Sequence, residues 1–314
     1  MADEVRATGP DRTWLVAAAA ALWGVSALMR EPLAEQLPAA TIVFYEHVLI
    51  VACLLPWLLP AGRALWAASL RAKLAVLVIG GGSSALAATL FTAAFVFGDP
   101  ITPQVLQKLQ PVFAMALAAL LLGERMSRRF PLFAVPALAG AWLLAFPDPF
   151  AVTVAGLTAA ALATGAALLW GAGTVLGRLA GRELAPMHVT TLRFGFGLVA
   201  TALLVVATGS SFAFAPLTPR TVGLLVTLAL VPGLLALTAY YVGLRTTPAT
   251  RATLAELAFP LTAAAVGVVV LGTVLSWSQW IGFVLVLLAV TGLALHERCS
   301  ATPAVTAAVP AQVG

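Results

Sequence analysis

Five ionisable side chains stand inside long apolar stretches of this 314-residue chain: Glu46, His47, Lys108, Arg193 and Glu256. A charge at the centre of a hydrocarbon layer costs at least about 2.5–3.5 kcal/mol on insertion scales, so each requires a partner, water or a task. With His47 neutral, their formal charges cancel. Gln104, Lys108 and Pro111 recur at helical spacing, which puts two polar groups on one face beside a proline kink, and Gln107 lies close by. Such a lysine either binds a carboxylate or phosphate of a ligand, or joins Glu256 or Glu46 in a salt bridge. Glu256 follows Thr253 by three residues and precedes Pro260 by four, again one face beside a kink. It is placed to bind an ammonium group or to carry a proton, and which of these it does turns on whether Lys108 is its neighbour. Glu46 and His47 are adjacent, hence about 100° apart on a helix, and do not serve one ligand equally. Glu46 reads as a gating or proton-coupling group or as the partner of Arg193; His47 reads first as a hydrogen-bonded packing residue. Arg193, seven residues after Pro186, reads as half of a structural or gating ion pair. Trp23, Trp170, Tyr240 and Tyr241 are aromatic candidates for the wall of a binding cavity, with packing as the alternative.

The elements that position these groups must be membrane helices. Hydrophobic residues make up 61% of the chain and charged ones 9%, with a mean hydropathy of +1.03, which excludes a soluble globular protein. The net charge of +5 then reads as a topology signal rather than a nucleic-acid footprint. Cys53 and Cys299 are too few and too scattered for a disulfide framework or a metal cluster. A bilayer core of about 30 Å requires roughly 20 apolar residues per helix. Ten runs qualify, at about 14–30, 39–59, 74–97, 103–122, 131–147, 155–177, 187–207, 221–243, 250–271 and 278–295. Assigning their ends alternately to two sides puts Arg6, Arg12, Arg63, Arg71, Lys73, Arg125, Arg128, Arg129, Arg178, Arg182, Arg245, Arg251 and Arg298 together, against Arg30 and Arg220 opposite. By the positive-inside rule both termini are expected in the cytoplasm of a plasma (inner) membrane protein. The acidic start, Asp3-Glu4, favours a retained first helix over a signal peptide.

The chain also repeats. At an offset of about 147, Trp23-Gly24 falls over Trp170-Gly171 and Glu46 over Arg193. Two residues of slippage later, Leu109-Gln110-Pro111 falls over Ala258-Phe259-Pro260, and Leu122-Gly123-Glu124-Arg125-Met126-Ser127 over Leu271-Gly272-Thr273-Val274-Leu275-Ser276. Five spans per half is an odd number, so the second copy is expected inverted in the membrane, the arrangement of transporters that rock around a midplane site. The expected layout is a tail at 1–13, a first five-helix repeat at 14–147, a second at 155–295 and a tail at 296–314. Gly80-Gly81-Gly82-Ser83-Ser84 lies across the repeat from Val231-Pro232-Gly233. Both are read as close-packing, soft segments suited to a bending gate.

The early Trp-Gly, the proline before the second span, Pro111-Val112-Phe113 in the fourth and Leu-Gly-Glu-Arg-Met-Ser before the fifth resemble the drug/metabolite transporter superfamily, in particular its ten-span EamA-type members. The resemblance implies a secondary transporter, usually an exporter of metabolites or amino acids. Its cavity would be lined by the first four spans of each half, with the fifth and tenth packed outside. Two departures stand out: Glu46 replaces the arginine frequent in the second span, and Thr273 replaces the glutamate of the second Leu-Gly-Glu. Glu124 is read as a local ion-pair cap beside Arg125, Arg128 and Arg129.

The expectation is therefore an all-α integral membrane protein that exports a small polar metabolite such as an amino acid, with Lys108 and Glu256 serving the two charges of a zwitterion. Proton coupling is one option. The substrate-side candidates are Lys108, Glu256, Gln104, Gln107, Trp23 and Tyr240; those for gating or proton coupling are Glu46, Arg193 and His47. An efflux carrier for lipophilic cations is the runner-up, opposed by the repulsion of Lys108 and Arg193. An intramembrane enzyme finds no G-x-S-x-G, no H-E-x-x-H and no carboxylate cluster to support it. No cofactor, metal or nucleic-acid partner is expected; the partners are a small-molecule substrate and the bilayer, with the oligomeric state left open.

Overall fold

A computed structural model describes residues 12–97, 99–122, 128–212, 218–244, 255–256 and 258–300. Glu124, Arg125, Thr253, Arg245, Arg251, Asp3, Glu4, Arg6 and the tail residues 1–11 and 301–314 lie outside these, as do the side chains of Arg178, Tyr241, Arg298 and Cys299. The described residues form helices, turns and short connections, with no strand among them. Among the described residues, seven helices are long and apolar enough to cross a membrane: α1 Thr13–Ala34, α2 Ala39–Ala67, α3 Leu70–Ala94, α4 Ile101–Leu121, α6 Val154–Gly177, α7 Pro186–Ala207 and α8 Pro219–Tyr240. Three shorter apolar helices complete the set: α5 Phe130–Ala145, α9 Ala258–Val270 and α10 Trp277–Leu293.

The outer surface is itself apolar. Leu132, Val135, Leu138 and Trp142 follow one face of α5, and Trp277, Ile281, Val284 and Leu288 one face of α10, all exposed. A face of this kind at i, i+3, i+4 spacing faces lipid. The two helices pack on each other through glycines. A Cβ on Gly282 would stand 2.5 Å from the Gly140 carbonyl oxygen and one on Gly140 2.9 Å from that of Gly282, so only hydrogens allow the backbones to meet.

A second close approach occurs twice, in equivalent places. Gly24 of α1 presses on the α9 backbone at Phe259 and Ala263, and Gly171 of α6 on the α4 backbone at Gln110 and Ala114. Each Trp-Gly pair thus lays the first helix of one half against the fourth helix of the other.

Helix α1 breaks at Val25-Ser26 and resumes through Ala34, carrying Arg30 into the packed interior. The apolar run ends at Arg30, which the alternating assignment put at a water-facing end; the structure instead pairs that guanidinium internally, so the helix continues past the charge. The soft segments are π-helical in both places, Ile79–Leu86 in α3 and Ala229–Leu235 in α8. Pro232 lacks an N–H and the triple glycine weakens the α register, which are recognised causes of such bulges. A third π segment, Val266–Val270, ends α9.

Candidate functional site

A π turn frees backbone carbonyls, and the two in α3 and α8 do so at equivalent positions. In α8 the Ala236 N–H donates to Val231 O, five residues back, and the Trp23 indole Nε1–H donates to Pro232 O at 2.8 Å. In α3 the Ala87 N–H donates to Gly82 O, and Arg193 Nη2 reaches Ser83 O at 3.5 Å. Trp23 and Arg193 lie in opposite halves of the chain, and each grips the π segment of the half it does not belong to.

The Trp23 bond opens one cluster. Its ring meets Tyr240 at 5.1 Å between centroids, inclined by 45°. The Tyr240 hydroxyl donates to Glu256 Oε1 at 2.5 Å. Lys108, in a 3₁₀ turn over Gln107–Leu109 within α4, holds its Nζ 4.6 Å above the centre of the ring of Phe259, whose backbone N–H donates to Glu256 O at 3.2 Å. The ammonium and carboxylate are not within ion-pair distance of each other. Each instead has an aromatic partner, a cation–π contact for Lys108 and a phenol hydrogen bond for Glu256. Four of the six substrate-side candidates thus meet, from α1, α4, α8 and the turn before α9. Phe259 joins them without having been singled out, although its place one residue before Pro260 marked it as part of the repeat.

The other two candidates stand apart. Gln104 is fully buried, donates from Nε2 to Pro100 O at 3.2 Å, and its Oε1 has no partner among the described residues. Gln107 is half-buried beside Lys108, and in the repeat it stands where Glu256 stands in the other half.

A second cluster collects the gating candidates. Arg30 grips Glu46 with both arms, Nη1 to Oε2 at 3.1 Å and Nη2 to Oε1 at 2.8 Å, and also donates to Thr92 Oγ1 at 2.5 Å. The salt-bridge partner of Glu46 is therefore Arg30; the alternative of Arg193, reached by laying one repeat on the other, finds that guanidinium turned to Ser83 O and the Phe194 ring. The Arg30 guanidinium lies 5.6 Å from the centre of the Phe91 ring, which in turn packs on Trp170 at 5.3 Å. Trp170–Phe91 is the repeat equivalent of Trp23–Tyr240, since in both a first-helix tryptophan meets a third-helix aromatic of the other half. His47 is buried, with Nδ1 at 2.8 Å from Val43 O and Nε2 at 2.9 Å from Ser84 Oγ. A carbonyl only accepts, so Nδ1 carries a proton; the neutral ring then accepts the serine hydroxyl at Nε2. Gly197 leaves the room for that ring. Among the described residues no three His, Cys, Asp or Glu side chains gather to hold a metal.

Comparison with known proteins follows the same lines. The chain matches the EamA-like transporter family over residues 13–146 and 157–295. It is 29% identical over 294 residues to a riboflavin transporter, ImpX, of Fusobacterium nucleatum subsp. nucleatum, covering 88% of this chain and 95% of that protein. A solved crystal structure with 19% identity superposes with a TM-score of 0.60 over 93% of this chain and 99% of that one, a likeness of fold. With both halves matched to one family and the apolar helices to carry it, this chain belongs to the EamA-like transporter family and is a multi-pass membrane transporter.

Proposed function

We propose that the chain is a secondary active exporter working by alternating access, built as ten membrane helices in two inverted five-helix repeats, residues 14–147 and 155–295. The paired Gly24 and Gly171 crossings, the twin π segments and the twin tryptophan–aromatic contacts support the repeat. The one-sided distribution of Lys and Arg supports cytoplasmic termini in the plasma membrane. Its solute is a small polar metabolite that carries a flat ring, bound between Lys108 and Glu256 against Trp23, Tyr240 and Phe259.

The observation that carries this reading is that both charges are lined by aromatic surface. A solute with a planar ring replaces the Lys108–Phe259 and Trp23–Tyr240 contacts with stacking of its own while its polar groups meet the ammonium and the carboxylate. Riboflavin, the solute in the name of the relative, is a flat heteroaromatic ring with a polyhydroxyl chain and fits that description. A zwitterionic amino acid is the second reading, favoured by an ammonium and a carboxylate that share one aromatic cluster without an ion pair between them. Glu256 is the proton carrier in either case, a carboxylate held by the Tyr240 hydroxyl with no cation within ion-pair distance among the described residues. The Arg30–Glu46 pair and Arg193 hold or gate the second cluster.

Titration of the purified protein with riboflavin, followed by flavin fluorescence, tests the reading. Stacking on Trp23 and Tyr240 predicts saturable quenching that is lost in Lys108→Ala and weakened in Trp23→Ala. Quenching that is absent, with saturable tryptophan-fluorescence changes on adding aromatic or aliphatic amino acids, would replace the flat-ring reading with the zwitterion.

A further inference from the structure

Outside the hydrocarbon, one carboxylate ties the two halves together. Ser69 joins α2 to α3 and caps α3, its hydroxyl oxygen accepting the Ala72 N–H at 3.3 Å. Glu183 lies in the turn between α6 and α7, and its carboxylate takes two further bonds from Ser69, the backbone N–H at 2.8 Å and the hydroxyl at 2.6 Å. The capping serine of a first-half helix is therefore held by a second-half loop, through a charged acceptor and with both oxygens engaged.

The same pair of places is linked on the opposite face. Thr218 caps α8 as Ser69 caps α3, and Gln36 occupies in the α1–α2 connection the place of Glu183 in the α6–α7 turn, 147 residues earlier. There the link runs from Thr221 Oγ1, bonded to the cap Thr218, to Gln36 Oε1 at 3.4 Å. Both ends of the molecule are thus tied, the first by two short bonds to a carboxylate, the second by a long bond to an amide beside two shorter ones, from Thr41 Oγ1 to Ser211 O at 2.9 Å and from the Tyr45 hydroxyl to Phe212 O at 2.7 Å. Charge-assisted hydrogen bonds are about twice as strong as neutral ones, and a 3.4 Å contact is near the limit of one.

We propose that Ser69–Glu183 is the latch that holds shut the Arg-rich face of the transporter. The inference rests on the alternating-access reading above and adds the residues whose parting opens that face. Helices α2 and α3 cannot part from α6 and α7 at the face bearing Arg63, Arg71 and Arg182 until the Glu183 bonds break.

Spin-label distances test this in the full chain with Cys53 and Cys299 replaced by Ser, one label pair at Arg71→Cys and Arg182→Cys, the other at Glu35→Cys and Arg220→Cys. Glu183→Ala and Glu183→Gln are expected to raise the open-to-closed ratio of the Arg71–Arg182 pair by at least about threefold, the alanine more than the glutamine. Glu183 is fully exposed, so its replacement leaves the packed helices unchanged. An Arg71–Arg182 distribution that does not change in Glu183→Ala overturns the latch and leaves the transport reading standing. A distribution that opens there with no compensating closure at Glu35–Arg220 upholds the latch and overturns the rocking of inverted halves.

Discussion

Tyr240→Phe removes one atom from the centre of the candidate site and leaves everything around it in place. The hydroxyl that donates to Glu256 Oε1 at 2.5 Å is lost, while the ring keeps its contact with Trp23 at 5.1 Å. A hydrogen bond to a charged group contributes about 1.5–3 kcal/mol, and each 1.4 kcal/mol is a factor of ten. If that bond sets the position of the carboxylate for solute or proton, solute affinity or coupled flux falls at least about tenfold. The assay is counterflow in liposomes for wild type, Tyr240→Phe, Glu256→Gln and the double variant. Two groups acting through one bond give a double variant no worse than the worse single one, with a coupling energy well above the ~0.5 kcal/mol scatter of independent sites. Additive losses would refute the reasoning, since they would mean that Tyr240 and Glu256 serve solute transport separately.

Four further outcomes follow from the geometry. Arg30→Ala strands Glu46 without its bidentate partner, and breaking a buried pair costs about 3–5 kcal/mol, so thermal stability in detergent collapses; Arg30→Met with Glu46→Leu recovers most of it. Gly282→Ala puts a Cβ 2.5 Å from Gly140 O and forces α5 from α10, an overpacking cost of about 1–3 kcal/mol seen as a lowered Tm, whereas Gly62→Ala, with nothing within 4 Å, changes nothing. Gly81→Ala fits with its Cβ contact at 4.0 Å, while Gly233→Ala presses on Ile50 and the Leu228 carbonyl at 3.3 Å and shifts them by a few tenths of an ångström; transport slows more than binding in both if the π segments bend, and unchanged rates would remove that role. The bonds from the Ser69 hydroxyl and backbone N–H hold the Glu183 carboxyl below its ordinary range. A lowered folded pKa means that the tie is present above the ordinary value and is lost only as pH falls through the lowered one, so the Arg71–Arg182 distance stays short into mild acid in wild type and ignores pH in Glu183→Gln.

Much of this arrangement is written in residue types, and some of it is not. Apolar runs bounded by charge give the helices because nothing else satisfies a backbone in lipid, and the repeated Trp-Gly marks two crossings where only a hydrogen fits. Gly80-Gly81-Gly82 and Val231-Pro232-Gly233 carry their weakness openly, and both are π-helical. Lys108, Glu256, Trp23 and Tyr240 attract notice as charges or large aromatics in hydrocarbon, and the fold brings them to one place. What sequence hides is pairing across distance. Arg30 looks like the end of a span because its partner Glu46 is a helix away, and Phe91, Thr92 and Phe259 look like ordinary packing until a cation is set over or beside them. Ser69 and Glu183 are common loop residues, and only the meeting of the two loops makes them a tie.

The most direct test of the account is solute-driven proton movement in liposomes holding the purified protein and a trapped pH dye, with riboflavin, amino acids and lipophilic cations offered in turn to wild type and Glu256→Gln. A flat-ring polar solute is expected to evoke a proton signal that vanishes in Glu256→Gln while solute counterflow persists at a reduced rate. A signal of equal size in wild type and Glu256→Gln, or one evoked by lipophilic cations alone, would contradict it.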